Sequence, residues 1–325
     1  MIDKVIVKIA CAICLLLCVC GEDSDELDYR VEMRIFVQNI SEYARSIDAG
    51  FFIIPQNGQE LLTDDGESNG SIISTYVNAI DGVGREDLYY GYNDDDERTP
   101  AAETEYMIGF LDRAETSGIE VLVTDYCWTR EKVDSSYQMN VTRGYISFAA
   151  DERALNSIPP YPGEPHNVNS NDITDLSSAR NFLYIINTEN FPSKSDFLDA
   201  LEQTNHDLLI IDLFYEGSDM LSAQDVASMK HKANGGQRLV IAYCSIGEAE
   251  DYRYYWSSTW DTDPPEWLDE ENPDWPGNYR VCYWEPDWQD IIYGNDQSYL
   301  KKILDVGFDG VYLDIIDAFE YWEDL

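Results

Sequence analysis

Short apolar runs alternate along this chain with stretches whose apolar positions repeat every three to four residues. The first stretch, 31–46, carries Ile35, Phe36, Ile40 and Tyr43 at helical spacing. Residues 51–54 (F-F-I-I) then predict a buried strand, and the glycine- and acid-rich region 79–90 predicts a second. Residues 101–117 predict a helix, with Thr99 as its cap and Pro100 in its first turn. A third strand falls at 120–126 (E-V-L-V-T-D-Y), and 144–148 is a weaker apolar run of accessory character. A segment holding Pro159, Pro160, Pro162 and Pro165 breaks the pattern at 156–178 and reads as an ordered linker.

Strict alternation resumes beyond it. Strands are predicted at 182–187, 207–214 (D-L-L-I-I-D-L-F), 238–245 (R-L-V-I-A-Y-C-S), 279–284 and 310–313, with helices at 193–204, 223–233 and 298–306. Eight strong strands interleaved with helices argue for an α/β protein with a parallel sheet and helices outside it. That count fits a (β/α)8 TIM barrel, with a doubly wound open sheet as the rival. No glycine-rich phosphate loop stands between a strand and a helix, so nucleotide binding has no support. Residues 256–280 form a Trp- and Pro-rich insertion after the 238–245 strand.

The N-terminus changes the picture of where the chain works. Residues 1–20 have a basic start (Lys4, Lys8) and an apolar run too short to span a bilayer, so they read as an export signal. Cys20, followed by an acidic tether over 21–30, is similar to the lipidated residue of a bacterial lipoprotein, with Cys18 as the alternative. The expected location is the bacterial cell envelope or surface, held by a lipid anchor only. Three cysteines, Cys127, Cys244 and Cys282, remain for the folded part, and their odd number without a C-x-x-C pair argues against a disulfide framework or zinc site. The formal net charge of −42 opposes nucleic acid and anionic lipid surfaces as partners and suits a neutral or cationic substrate. No calcium-loop motif and no histidine cluster occur, so no metal and no cofactor are expected.

Three long runs carry a family resemblance: 238–256 (R-L-V-I-A-Y-C-S-I-G-E-A-E-D-Y-R-Y-Y-W), 271–289 (E-N-P-D-W-P-G-N-Y-R-V-C-Y-W-E-P-D-W-Q) and 307–322 (G-F-D-G-V-Y-L-D-I-I-D-A-F-E-Y-W). Together with 181–215 they resemble barrel strands one to five of glycoside hydrolase family 114, closest to its extracellular branch related to endo-α-1,4-polygalactosaminidase. Residues 51–61, 82–90 and 120–126 resemble strands six, seven and eight. The resemblance therefore implies a circularly permuted barrel over 31–325, with the proline-rich segment 156–178 bridging the family's usual ends.

Glycoside hydrolysis needs two carboxyl groups facing one bond. The resemblance assigns Asp314 as nucleophile and Glu86 as acid/base, and implies a polysaccharide substrate, with a cationic amino sugar such as galactosamine fitting an acidic mouth. Further strand-end candidates are Gln56, Asn57, Asp81, Asp125, Asp212, Glu248 and Asp317. Asp125 and Asp212 are equally readable as substrate contacts or as anchors for loop amides. Tyr243 and Tyr126 are placed to orient a carboxylate or touch a sugar, and Trp284 is a candidate sugar contact. Glu248, Glu250, Asp251 and Arg253 have a salt-bridged loop as their alternative reading. Trp256, Trp260, Trp267 and Trp275 either stack on sugar faces or form the insertion's own core. The rival to an enzyme is a non-catalytic glycan-binding lipoprotein on the same barrel.

Overall fold

The computed structural model describes residues 27–325. The signal, Cys18 and Cys20 lie outside the described residues. Helix α1 (Tyr29–Ile47) starts where the Asp28 carboxylate accepts the Val31 N–H, and it buries Met33, Phe36, Val37, Ile40 and Ala44 on one face. The expected tether over 21–30 thus already turns helical at Tyr29, and Arg30 forms a bidentate pair with Glu323 at 2.8 and 2.9 Å.

Eight parallel strands follow: β1 (Phe52–Pro55), β2 (Gly82–Glu86), β3 (Glu120–Tyr126), β4 (Ile146–Ala150), β5 (Phe182–Ile185), β6 (Leu208–Asp212), β7 (Leu239–Ser245) and β8 (Gly310–Asp314). Hydrogen-bonded ladders join them as two sheets, of order β1-β8-β7-β6-β5 and β2-β3-β4. The first and last strands are neighbours, with Phe52 opposite Gly310 and Pro55 opposite Leu313. At the β1/β2 seam a single parallel bridge joins Gln56 to Gly84, flanked by Asp81 N–H to Ile53 O (2.9 Å) and Asn57 N–H to Gly84 O (2.8 Å). At the other seam Phe148 and Phe182 pack ring against ring, 5.7 Å apart.

One predicted strand changes places. Residues Asn278–Val281 lie outside the parallel sheets, in a small antiparallel sheet with Glu248–Glu250 and Leu268–Glu271. The reason is polarity: Asn278, Tyr279 and Arg280 are only half-buried, and a strand flanked by helices on both sides needs two apolar faces. The weak run near 144–148 supplies the missing member instead. Every residue of β4 is buried, but Ser147, Ala149 and Ala150 are too small to make it stand out in sequence.

The interior between the sheets is filled by tyrosines. The Tyr184 ring lies 5.2 Å from Tyr312 and 6.5 Å from Tyr243. Gly84 leaves room for them, since a Cβ there would stand 1.9 Å from the Tyr312 hydroxyl. Helix α2 (Ser74–Val77) and the longer helices α3 (Ala101–Thr116), α4 (Arg130–Arg143), α5 (Lys194–Glu202), α6 (Ala223–Met229), α7 (Pro286–Ile292) and α8 (Tyr299–Val306) occupy the connections, and α9 (Ala318–Glu323) follows β8.

Candidate active site

Three of the strands end in the same way. Gln56 follows β1, Glu86 closes β2 and Asp314 closes β8, and the next residue in each case has a left-handed backbone: Asn57 (φ 62°), Asp87 (φ 60°) and Ile315 (φ 58°). Such a turn swings the chain away and leaves the preceding side chain at the sheet's mouth. For the β-branched Ile315 it is a strained conformation, on the order of 1–3 kcal/mol, of the kind that clusters at functional sites. Gly247 makes room for it, because a Cβ there would come within 2.2 Å of the Ile315 carbonyl oxygen.

Gln56 ties the two carboxylates together. Its Nε2 donates to Glu86 Oε2 at 2.8 Å and to Asp314 Oδ1 at 2.9 Å. One nitrogen reaching both oxygens keeps them less than about 6 Å apart, the limit set by two hydrogen bonds end to end. Glu86 also accepts from Asn57 Nδ2 at 3.2 Å and from the Tyr126 hydroxyl, while Asp314 accepts from the Tyr243 hydroxyl at 2.8 Å. Burial and the facing Glu86 push the Asp314 carboxyl up to about 8, against the opposing pull of Tyr243. Like charges this close do not both ionise readily, so the pair holds one proton at neutral pH.

The pair opens into a cavity of about 690 Å³. Its lining includes Gln56, Asn57, Tyr243, Glu248, Asp212 and Asp317, six of the expected site residues. Asp317 is half-buried, and desolvation lifts its carboxyl to about 6 although Arg85 works against that. Glu248 is 3% exposed; its Oε1 accepts from Asn272 at 2.7 Å, and its Oε2 has no partner among the described residues. Asp212 lines the wall but is already engaged, paired with Arg253 at 2.6 Å and accepting the Phe214 N–H at 2.7 Å. Arg253 in turn binds Glu250, so the salt-bridged loop forms without Glu248.

Three expected site residues lie elsewhere. Asp125 is fully buried behind the mouth, where it accepts from the Tyr89 and Tyr90 amides, Ser136 and Asn140; it anchors the loop after β2 to α4. Trp284 is outside the cavity, packed among Tyr29, Tyr283 and Trp322. Asp81 sits at the opposite end of the sheet, bound to Arg45 and the Ile53 amide. Of the insertion's tryptophans, Trp256, Trp260 and Trp267 pack against one another as a small core. Trp275 is different: it lines the cavity and stays 49% exposed.

Arg153 and Tyr184 also line the cavity. Arg153 stacks over the Tyr126 ring at 4.0 Å and pairs with Asp87 and Asp95, which fixes the phenol that donates to Glu86. It follows β4 directly, so counting 146–150 among the principal strands would have exposed it. The two lining arginines, Arg153 and Arg253, are each neutralised by two carboxylates, and the remaining acids leave the mouth electronegative.

Fold and cavity together define an α/β protein with a hydrogen-bonded pair of carboxyl groups at the carboxyl ends of its parallel strands. Residues 167–324 match the model of glycoside-hydrolase family GH114, which supports assigning this segment to that family. The matched range contains β5 to β8 and therefore Asp314, Tyr243, Glu248 and Asp212; Glu86, Gln56 and Asn57 lie outside it. The chain is similar to the uncharacterized protein MJ1477 of Methanocaldococcus jannaschii, 41% identical over 157 residues, covering 47% of this chain and 42% of the relative. It also resembles uncharacterized proteins of Thermotoga maritima (43% over 122 residues; 38% of this chain, 36% of the relative) and Deinococcus radiodurans (40% over 123 residues; 38% and 37%). The matches thus span about two fifths of the length of these relatives.

Proposed function

We propose that the protein is an exported glycoside hydrolase that cleaves a polysaccharide by a two-carboxylate, configuration-retaining mechanism, with Asp314 as nucleophile and Glu86 as acid/base. The observation that carries this reading is the Gln56 amide bonded to both carboxylates at once. Retaining enzymes need carboxyl groups about 5–5.5 Å apart, whereas inverting ones need room for a water between them. Without substrate the shared proton favours Asp314. Substrate reverses that preference: the electron-poor anomeric carbon favours an ionised Asp314, and the glycosidic oxygen favours a protonated Glu86. Gln56 and Tyr243 then hold Asp314 in line, and Tyr126 holds Glu86.

The electronegative wall supports a cationic sugar, such as α-1,4-linked galactosamine, with Trp275 offering a face for stacking. We also read the two sheets as one (β/α)8 barrel in permuted order, with β5 to β8 as the first four strands and β1 to β4 as the last four. The β1–β8 pairing and the restriction of the family match to 167–324 support this order. Cys20 would then carry a lipid that tethers the barrel to the cell envelope.

The test is release of new reducing ends from α-1,4-linked galactosamine polymer as a function of pH. Activity needs the singly protonated pair, so kcat/KM is expected to fall on the alkaline side with a limb near pH 8, where the last proton leaves. Measurable binding of the polymer with no product at any pH would favour a glycan-binding protein instead.

A further inference from the structure

Lys232 plays no part in the proposed hydrolysis, yet its side chain is fully buried, as is that of its partner Asp207. Both lie at the amino end of the parallel strands, away from the cavity. Asp207 precedes β6, and Lys232 follows α6. Lys232 Nζ donates to Asp207 Oδ1 at 2.8 Å and to the Asn169 backbone carbonyl at 3.1 Å, and it stands 3.3 Å from Asn169 Oδ1. Asn169 belongs to the proline-rich bridge, and its Nδ2 donates to Asp207 Oδ2 at 2.8 Å and Oδ1 at 3.1 Å. One carboxylate therefore touches the nitrogen of a lysine and the nitrogen of a carboxamide at once. Asn169 Oδ1 also accepts the Asn171 N–H at 3.0 Å. The segment is pressed close: a Cβ on Gly236 would lie 2.6 Å from both Lys232 Cε and the Asn171 carbonyl oxygen.

We propose that Lys232 and Asn169 join in an intramolecular amide cross-link, with Asp207 transferring the protons. Lys232 Nζ passes a proton to Asp207 and attacks Asn169 Cγ, the carbon bonded to the Oδ1 it already approaches. As the N–C bond forms, charge builds on Oδ1, where the Asn171 N–H donates. Asp207 returns the proton to Nδ2 and takes a second one from Nζ, the Cγ–Nδ2 bond breaks, and the departing ammonia takes that second proton from Asp207 and leaves as ammonium. The balance is one lysine ammonium and one carboxamide giving one secondary amide and one ammonium ion, with Asp207 regenerated as the carboxylate and no oxidant or other reactant. Holding the groups in contact, with Lys232 and Asp207 buried, is what makes such a slow reaction accessible. The product clamps the bridge to the sheet across 63 positions of sequence.

Peptide mapping and mass measurement of the denatured full chain test this. Wild type is expected to be about 17 Da lighter than the same chain without the link, the mass of one ammonia. Trypsin should fail to cut after Lys232 and yield a branched peptide joining 154–180 to 231–238. Asn169→Ala leaves the Lys232–Asp207 pair intact, so it should fold, show no branched peptide and restore cleavage at Lys232. Asp207→Asn should likewise accumulate the unlinked form. A wild-type chain of full mass that trypsin cuts normally at Lys232 overturns the proposal, whatever the outcome of the hydrolysis assays.

Discussion

Asp314→Asn and Glu86→Gln are each expected to lower polymer cleavage by about a thousandfold or more, with substrate binding largely retained. The magnitude follows from the roles: positioned proton transfer contributes roughly 10²–10⁴-fold, and loss of a nucleophile removes the covalent route altogether. The two act as one unit through Gln56, so the double variant should be little worse than either single one. Stability should move the other way for Asp314. Its folded-state value near 8 lies above the unfolded carboxylate value of about 4, so the folded state holds the proton to higher pH. Stability is therefore lost as pH rises from about 4 through about 8, and Asp314→Asn removes that loss. At pH 8 the inactive variant should melt above wild type. Reducing-end assays and melting curves across this range check both halves; full activity in either variant would remove the assignment.

Arg253→Met is expected to be the most destabilising single change at the mouth. Arg253 is 2% exposed and lies between Asp212 and Glu250, themselves 7% and 2% exposed. Its guanidinium also faces the Tyr252 and Tyr299 rings, 5.0 and 5.6 Å away, and the Tyr252 hydroxyl donates to Glu250 at 2.6 Å. Removing the cation strands two buried carboxylates, which costs about 3–5 kcal/mol. Burial already raises the Asp212 carboxyl against the pull of Arg253, and without that pull it should rise further. Part of the loss should thus return as pH falls and the acids protonate. Denaturant midpoints at pH 7 and pH 5 measure this; a midpoint change worth less than about 0.5 kcal/mol at pH 7 would mean the triad is not sealed from water.

The legible part of the fold was the part written in large apolar residues. Runs such as Leu208–Asp212 and Leu239–Ser245 have no polar face and stand at their expected places. The strand Ile146–Ala150 is faint in sequence because small side chains carry burial without hydrophobic emphasis, and 279–284 reads as a core strand because of aromatic residues that pack elsewhere, Tyr279 against Trp256 of the insertion and Trp284 against Tyr29 and Trp322. The site was legible where a carboxylate or amide ended a strand, as at Gln56, Glu86 and Asp314. Asp125 also ends a strand, but its oxygens turn to backbone amides and α4, which only the three-dimensional path of the loop determines. Nothing in sequence separates Trp275 from its three neighbours, because exposure depends on which rings meet first in a local cluster. The one-atom bridge by Gln56 was equally hidden, since it depends on the β1/β2 seam bringing Gly84 against Gln56.

The most direct measurement is covalent trapping. An activated 2-deoxy-2-fluoro galactoside, or an amino-sugar equivalent, slows breakdown of a glycosyl-enzyme and allows its mass to be read. Incubation followed by peptide mapping should show a single glycosyl adduct on the carboxylate of Asp314, absent in Asp314→Asn and still formed by Glu86→Gln when the leaving group needs no acid. Turnover of the same compound without an adduct, or an adduct on Glu86, would contradict the account.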